Sequence, residues 1–512
     1  MKVILAGYNL DRESINEIKK ILTEIKLFLE SKEKTEQEKD LLLKIKELLE
    51  KDNLTPETIS AAYARISRDP RAVNELRRIA REEVEKARKS NENIIFGLGH
   101  SSIAEHAVFN LDIIGISRYA VEEIEKFRLC SFTEKSQRYV LFENDYTIPE
   151  ELKGSSLLQP FKETIELQNR AYHTFFKKLK EYFYEKYSEK IADSKEKSKI
   201  ENLAKEDARY CISLATQTQL GATINARNLE LMIRRFLSNS ISEIRELGEK
   251  IFQEIQGIAP SVIKYTQPTE YFKRTYPELR EKAKEIIKNL KLEYKSENSE
   301  DVKLISWTEQ GEDIITASLL HSSTQKSMDE CLFLARAMSR EQKKDFIKTS
   351  FKYMKSYDAV LREFENVEFL FELVVSASCF AQLKRHRMAT IIKQDYNPEL
   401  GFVIPSSIKD CGLEKDFCEL IEKTNEIFYK IKKYNPLIAP YILTNSHKRR
   451  VLLKVNAREL YHIARLRMDK EAQWEIREKA EKIIELAKEK MPDIFMLACG
   501  KDKFEEEYKK LF

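Results

Sequence analysis

Asn456-Ala457-Arg458-Glu459-Leu460, followed by Glu475-Ile476-Arg477, has a counterpart far upstream in Asn225-Ala226-Arg227-Asn228-Leu229, followed by Glu243-Ile244-Arg245. Order and near-equal spacing recur, so the chain reads first of all as an internal duplication. The pairing continues toward the N-terminus of each copy. EHAVF (105–109) and Lys126-Phe127-Arg128 are echoed by ENVEF (365–369) and Arg385-His386-Arg387, and VILAGYNLD from Val3 loosely matches VKLISWTEQ from Val302. The expected halves are residues 1–291, with extra N-terminal helices, and residues 302–512. They are joined through LEYKSENSED (292–301), whose polar, charged composition suits an exposed linker.

Composition narrows the class. Among 512 residues, Gly and Pro number only 12 each, a scarcity of turn formers that favours long helices in a mixed fold. Lys and Arg total 89 against 85 acidic residues, and a net charge of +4 gives no bulk field to recruit nucleic acid or a membrane. No apolar run is long enough to span a bilayer, and MKVILAG lacks a signal-peptide pattern, so a cytoplasmic protein is expected. Seven cysteines without a Cys-x-x-Cys pair argue against a disulfide framework or a zinc ribbon, and no metal site is expected.

Two amphipathic helices are expected over residues 11–53, and a further charged helical stretch over 177–207. FNLDIIGISRY (109–119) and FLFELVVSASCF (369–380) read either as a strand running into a helix or as a buried helix, and periodicity does not decide between them.

Arg385-His386-Arg387 follows an apolar run. Three adjacent residues cannot share one helix face, and two guanidinium groups suit a ligand with several anionic groups; a solvated patch at a helix end is the alternative. On extended backbone, Ser136 and Arg138 would face one way and cradle a monophosphate, whereas a polar strand edge is the plainer reading. Asn225 and Arg227, or Asn456 and Arg458, equally suit helix capping and solvation.

Together these motifs resemble the flavin-dependent thymidylate synthases. The first half carries the resemblance in GHSSIAEHAVFNL (99–111), Arg128 to Tyr139, Glu206-Asp207-Ala208-Arg209 and INARNL (224–229). The second carries it in Gln382, Arg385-His386-Arg387, VNARELYHIARLR (455–467) and AQWEIR (472–477). The resemblance implies an α+β fold of two tandem domains, each a mainly antiparallel sheet with packed long helices. It also implies complementary losses. The first half has Glu123, Lys126 and Phe127 where the family has Gln, Arg and His, and its late Arg aligns with Phe236 or, with one deletion, Arg235. The second half has Lys393, Asp395 and Asn397 in the phosphate loop and Pro440 before Asn-x-Arg.

Carried over by position, one composite site remains nearly intact. The implied dUMP-binding residues are Gln382, Arg385, Glu134, Ser136, Arg138, Arg209 and Arg467. Arg467 is the catalytic residue, a fixed cation favouring the N3-deprotonated uracil. Ser102, Glu134, Arg385, His386, Arg387, Asn456, Arg458 and His462 would hold FAD. NADPH and methylenetetrahydrofolate are the implied cosubstrates, and a homodimer mimicking the family tetramer is the implied assembly. The implied reaction is reductive methylation of dUMP to dTMP. Folate-dependent modification of another pyrimidine nucleotide, or a non-catalytic flavin- or nucleotide-binding role, are the alternatives.

Overall fold

The computed structural model describes residues 1–30, 38, 40, 41, 43–45, 54–291 and 300–512. It resolves into two compact units, one of residues 1–136, 145–153 and 215–291, the other of 137–144, 154–214 and 300–512. The second unit thus includes two segments of the first sequence half.

Unit 1 holds a four-stranded antiparallel sheet of β1 (Lys2–Tyr8), β2 (Val108–Ser117), β3 (Cys130–Glu134) and β4 (Gln217–Asn225), in the order β1-β2-β4-β3. Unit 2 repeats it with β5 (Val302–Trp307), β6 (Glu368–Ser376), β7 (Thr390–Lys393) and β8 (Lys448–Asn456), in the order β5-β6-β8-β7. Register repeats too: Val108 lies opposite Asn225, and Glu368 opposite Asn456. Both ambiguous apolar runs are strands that turn into helices, Arg118–Glu125 and Ala377–Leu383. Along β2, Phe109, Leu111, Ile113 and Ile116 are buried. The inward alternation skips one residue at Gly115, where φ is +71° and the ladder with β4 shifts register.

The strand-to-helix joints are built alike. Ser117 Oγ accepts from Ala120 N at 3.0 Å while Ser117 N and Oγ donate to Glu243 at 2.8 and 2.6 Å. Ser376 does the same with Cys379 N at 3.0 Å and Glu475 at 3.1 and 2.5 Å. Each serine caps a helix, and the buried carboxylate satisfies its donors.

In unit 2 the helix Leu158–Lys186 buries Phe161, Ile165, Gln168, Tyr172, Phe175, Leu179 and Phe183, a stripe at spacings of three and four. It packs on the helix Glu414–Tyr434: Phe175 stacks on Phe417 with centroids 6.0 Å apart, and Gln168 Nε2 donates to Thr424 Oγ1 at 2.9 Å. At about 1.5–3 kcal/mol per fully buried large apolar side chain, this stripe is a major contribution to the unit. The charged stretch expected over 177–207 is the end of this helix and a second helix, Ser194–Ala208. The first expected N-terminal helix is Arg12–Glu30; the second, and most of the linker, lie largely outside the described residues. All seven cysteines are free, five of them buried. Among the described residues no helix is long and apolar enough to cross a membrane.

Candidate functional site

Arg385-His386-Arg387 begins just past the helix Ala377–Leu383. His386 N donates to Leu383 O at 3.1 Å, and the tight exit turns His386 inward, 2% exposed, while Arg385 is exposed and Arg387 half-buried. The helix Ala457–Arg467 faces it. Asn456 Oδ1 accepts from Glu459 N at 2.8 Å and caps that helix, as Asn225 Oδ1 caps Ala226–Leu237 from Asn228 N at 3.0 Å. Glu459 and Arg467, two turns apart, lie on one face.

These elements place His386 between two side chains. Its Nδ1 is 3.1 Å from Glu459 Oε1, and its Nε2 is 2.9 Å from Arg467 Nε. Arg467 Nη2 donates to Gln382 O at 3.2 Å, and Nη1 has no partner among the described residues. Burial holds the His386 pKa below the ordinary histidine value, and Arg467 adds to that against the opposing pull of Glu459. The Arg467 pKa is lowered to about 10, by burial and then by the charges of Arg385 and Arg138. His386, Glu459 and His462 bring ligand-type atoms within 4.8 Å of one another.

Unit 2 gathers Arg138 and Arg209 of the first half with these groups. Arg138 pairs with Glu206 and donates through Nη2 to Glu471 O at 3.0 Å. Arg209, 4% exposed, donates through Nε to Glu206 O at 3.1 Å, and its Nη2 is buried without a partner among the described residues. Asn445 Nδ2 fixes the backbone by donating to Arg209 O at 2.9 Å and to Gln137 Oε1 at 3.0 Å. Beside them Asp207 accepts from Ser407 Oγ at 2.5 Å and Trp474 Nε1 at 3.0 Å, and burial raises its pKa to about 6. Tyr210, fully buried, donates to Glu475 Oε2 at 2.6 Å and accepts from Gln473 Nε2 at 2.8 Å.

The remaining expected residues divide. Gln382 is buried near Arg467, whereas Arg458 donates to Val360 O at 2.9 Å and pairs with Glu365 at 3.0 Å. Ser102, Glu134 and Ser136 belong to unit 1: Ser102 is exposed in the short helix Ser101–His106, and Glu134 is buried against Arg118. The extended run from Ser136 to Arg138 is not found. β3 ends at Glu134 and residues 137–139 form a turn. Unit 1 also shows what the lost motif has become: Phe127, 4% exposed, lies under the Arg235 guanidinium at 5.6 Å, with Phe272 on that cation at 5.2 Å. Arg235, rather than Phe236, therefore meets the residue that stands where the second half has His386.

Sequence reasoning missed Glu459, Asn445 and Gln137. Glu459 was legible only as the residue after Asn456-Ala457-Arg458, eight positions before Arg467. The other two are set by contacts between distant segments.

The family model described as thymidylate synthase complementing protein matches residues 47–261 and 303–493. The chain belongs to this family. A flavin-dependent thymidylate synthase of Clostridium tetani (strain Massachusetts / E88) is 31% identical over 218 residues, 42% of this chain and 83% of that protein. A UPF0159 protein of Chlamydia muridarum (strain MoPn / Nigg) is 24% identical over 420 residues, 79% of each chain. A UPF0159 protein of Thermoplasma acidophilum is 24% identical over 470 residues, 82% of this chain and 90% of that one. Two matches to one family model agree with two sheets of one strand order, consistent with two tandem domains.

Proposed function

We propose that the chain carries out reductive methylation of dUMP to dTMP in the cytoplasm, with methylenetetrahydrofolate as the carbon donor, at a site composed from both sequence halves. One observation carries the reading. Four guanidinium groups, Arg138, Arg209, Arg385 and Arg467, belong to one unit; one has a buried unpartnered nitrogen, and another has a pKa lowered by burial and, after that, by the charges of Arg385 and Arg138. Like charges at such cost are stabilised by an anionic ligand.

Arg138 and Arg209 would bind the nucleotide phosphate, with Gln382 and Arg385 reaching base and sugar. Arg467, with Nε and Nη2 held by protein acceptors, would offer Nη1 to the uracil edge. There a fixed cation stabilises the charge of the N3-deprotonated ring, without an enzyme nucleophile. Two of the cysteines fit that absence: burial raises the thiol pKa of Cys211 and Cys379 far above neutrality.

The chemistry of the donor set fits a flavin dinucleotide. Arg385 and Arg387 flank the inward His386 and suit a pyrophosphate, and the exposed His462 has its ring centroid 5.7 Å from that of His386. Asn456 and Arg458 complete the proposed set, which His386 serves through the groups it orients. When bound, FAD supplies the hydride, and NADPH recharges it. Two chains would pair as a homodimer.

The test is anaerobic incubation of the full chain with FAD, NADPH, methylenetetrahydrofolate and dUMP, with dCMP in a parallel arm. Formation of dTMP supports the proposal. Turnover of dCMP alone, or colourless protein that takes up no FAD, overturns it.

A further inference from the structure

We infer that Glu459 is a positioning residue: it fixes the tautomer of His386 so that Nε2 accepts from Arg467 and holds that guanidinium in register. The inference rests on the proposed role of Arg467. An arginine side chain is always a donor, so the 2.9 Å contact from Arg467 Nε requires a lone pair on His386 Nε2. The ring is buried and its pKa is lowered, so it is neutral and carries its proton on the other nitrogen. Nδ1–H then donates to Glu459 Oε1 at 3.1 Å. Glu459 is itself fixed, 8% exposed and at the capped start of its helix. The chain of dependence runs from the Asn456 cap through Glu459 and His386 to Arg467, whose second anchor is Gln382 O at 3.2 Å.

A competing reading takes His386, Glu459 and His462 as ligands of a divalent cation. A cation on His386 Nδ1 would force the proton to Nε2, where it would meet the Arg467 Nε–H, two donors 2.9 Å apart. The ion would also lie close to a guanidinium. The tautomer reading satisfies both ring nitrogens of His386 and Arg467 Nε, and the metal reading does not.

Removing the carboxylate leaves Nδ1–H without an acceptor in a buried setting and allows the opposite tautomer, which repels the Arg467 donor. A displacement of about 1 Å at a reacting group can cost roughly a hundredfold in rate. The experiment uses the full chain as Glu459→Ala and Glu459→Gln. Glu459→Ala is expected to lower kcat by about ten- to a hundredfold, with KM for dUMP changed by less than about threefold. Glu459→Gln should restore kcat to within about threefold, because its Oε1 can accept from Nδ1–H. Two arms need no turnover. Nitrogen-15 NMR of histidine-labelled protein, assigned with His386→Phe, should show His386 protonated on Nδ1 in wild type and Glu459→Gln and not in Glu459→Ala. Dialysis against Zn²⁺ should leave no stoichiometric metal. An Nε2–H tautomer in the wild type, equal kcat in all three proteins, or one zinc per chain lost with Glu459→Ala would overturn the inference. Absence of dTMP from wild-type reactions, with the tautomer as expected, would count against the proposed function instead.

Discussion

Replacing Arg467 and Arg235 separately by alanine distinguishes a working cation from a structural one at corresponding positions of the two domains. Arg467→Ala removes the donors to His386 Nε2 and Gln382 O, held at 2.9 and 3.2 Å. Each orphaned acceptor costs about 1–3 kcal/mol when dry, and water entering the gap reduces the sum to about 2 kcal/mol. Arg235→Ala removes two cation–aromatic contacts, at 5.6 Å to Phe127 and 5.2 Å to Phe272. At about 0.5–1 kcal/mol each, these give a loss of similar size. The two variants should therefore melt close together. Turnover should separate them: loss of one preorganised donor to a developing anion costs about 10²–10³ in kcat, whereas the Arg235 contacts touch no proposed ligand. The assay is dTMP formation at saturating dUMP, paired with thermal melts of both proteins. Equal loss of turnover in the two variants would refute the assignment of one intact site.

Arg209→Met should raise the dissociation constant of dUMP by about ten- to a hundredfold, through loss of a charge-assisted phosphate contact, and leave deoxyuridine binding unchanged; calorimetry with both ligands checks this. Asp207 has its pKa raised from 3.8 to about 6, so folding favours its protonated form. That contribution is present below about pH 4 and is lost as pH rises through 6, so Asp207→Asn should melt above wild type at pH 8 and together with it near pH 4. His447 titrates in the opposite sense. Burial lowers its pKa to about 4, so its contribution is present above about pH 6.5 and lost toward pH 4; in the Asp207→Asn background the melting temperature should fall over that interval, and a flat profile would contradict the burial argument. Ser117→Ala and Ser376→Ala should each destabilise by about 1–2 kcal/mol in denaturant melts, since each loses a helix cap and a bond to a buried glutamate.

The two domains were legible because Asn-Ala-Arg and Glu-Ile-Arg mark local structure, a helix cap and a carboxylate under a strand end, that both need. Strand against helix was not legible in residues 109–117 because the bulge at Gly115 breaks the alternation, nor in 369–376, where the outward residues Leu370, Glu372 and Val374 are half-buried. At the site, the residue types were readable, whereas their commitments were not. Nothing in Arg385-His386-Arg387 reveals that the histidine points inward while Arg385 is exposed and Arg387 half-buried, because the tight exit after Leu383 decides it. The expected alternation of Ser136 and Arg138 failed for a similar reason: the strand stops at Glu134, which is held by Arg118. The helix Leu158–Lys186 shows its apolar stripe plainly, but periodicity says nothing about which helix will cover it.

That last pairing bears on how the chain is made. Gln168 donates to Thr424, 256 residues later, and Phe175 stacks on Phe417. On the ribosome, the long helix of the first half emerges with its aromatic stripe exposed well before its cover is synthesised, so unit 2 cannot close until translation is nearly finished. A gene cut between residues 291 and 300 should accordingly yield two fragments that aggregate when expressed alone and recover solubility when produced together.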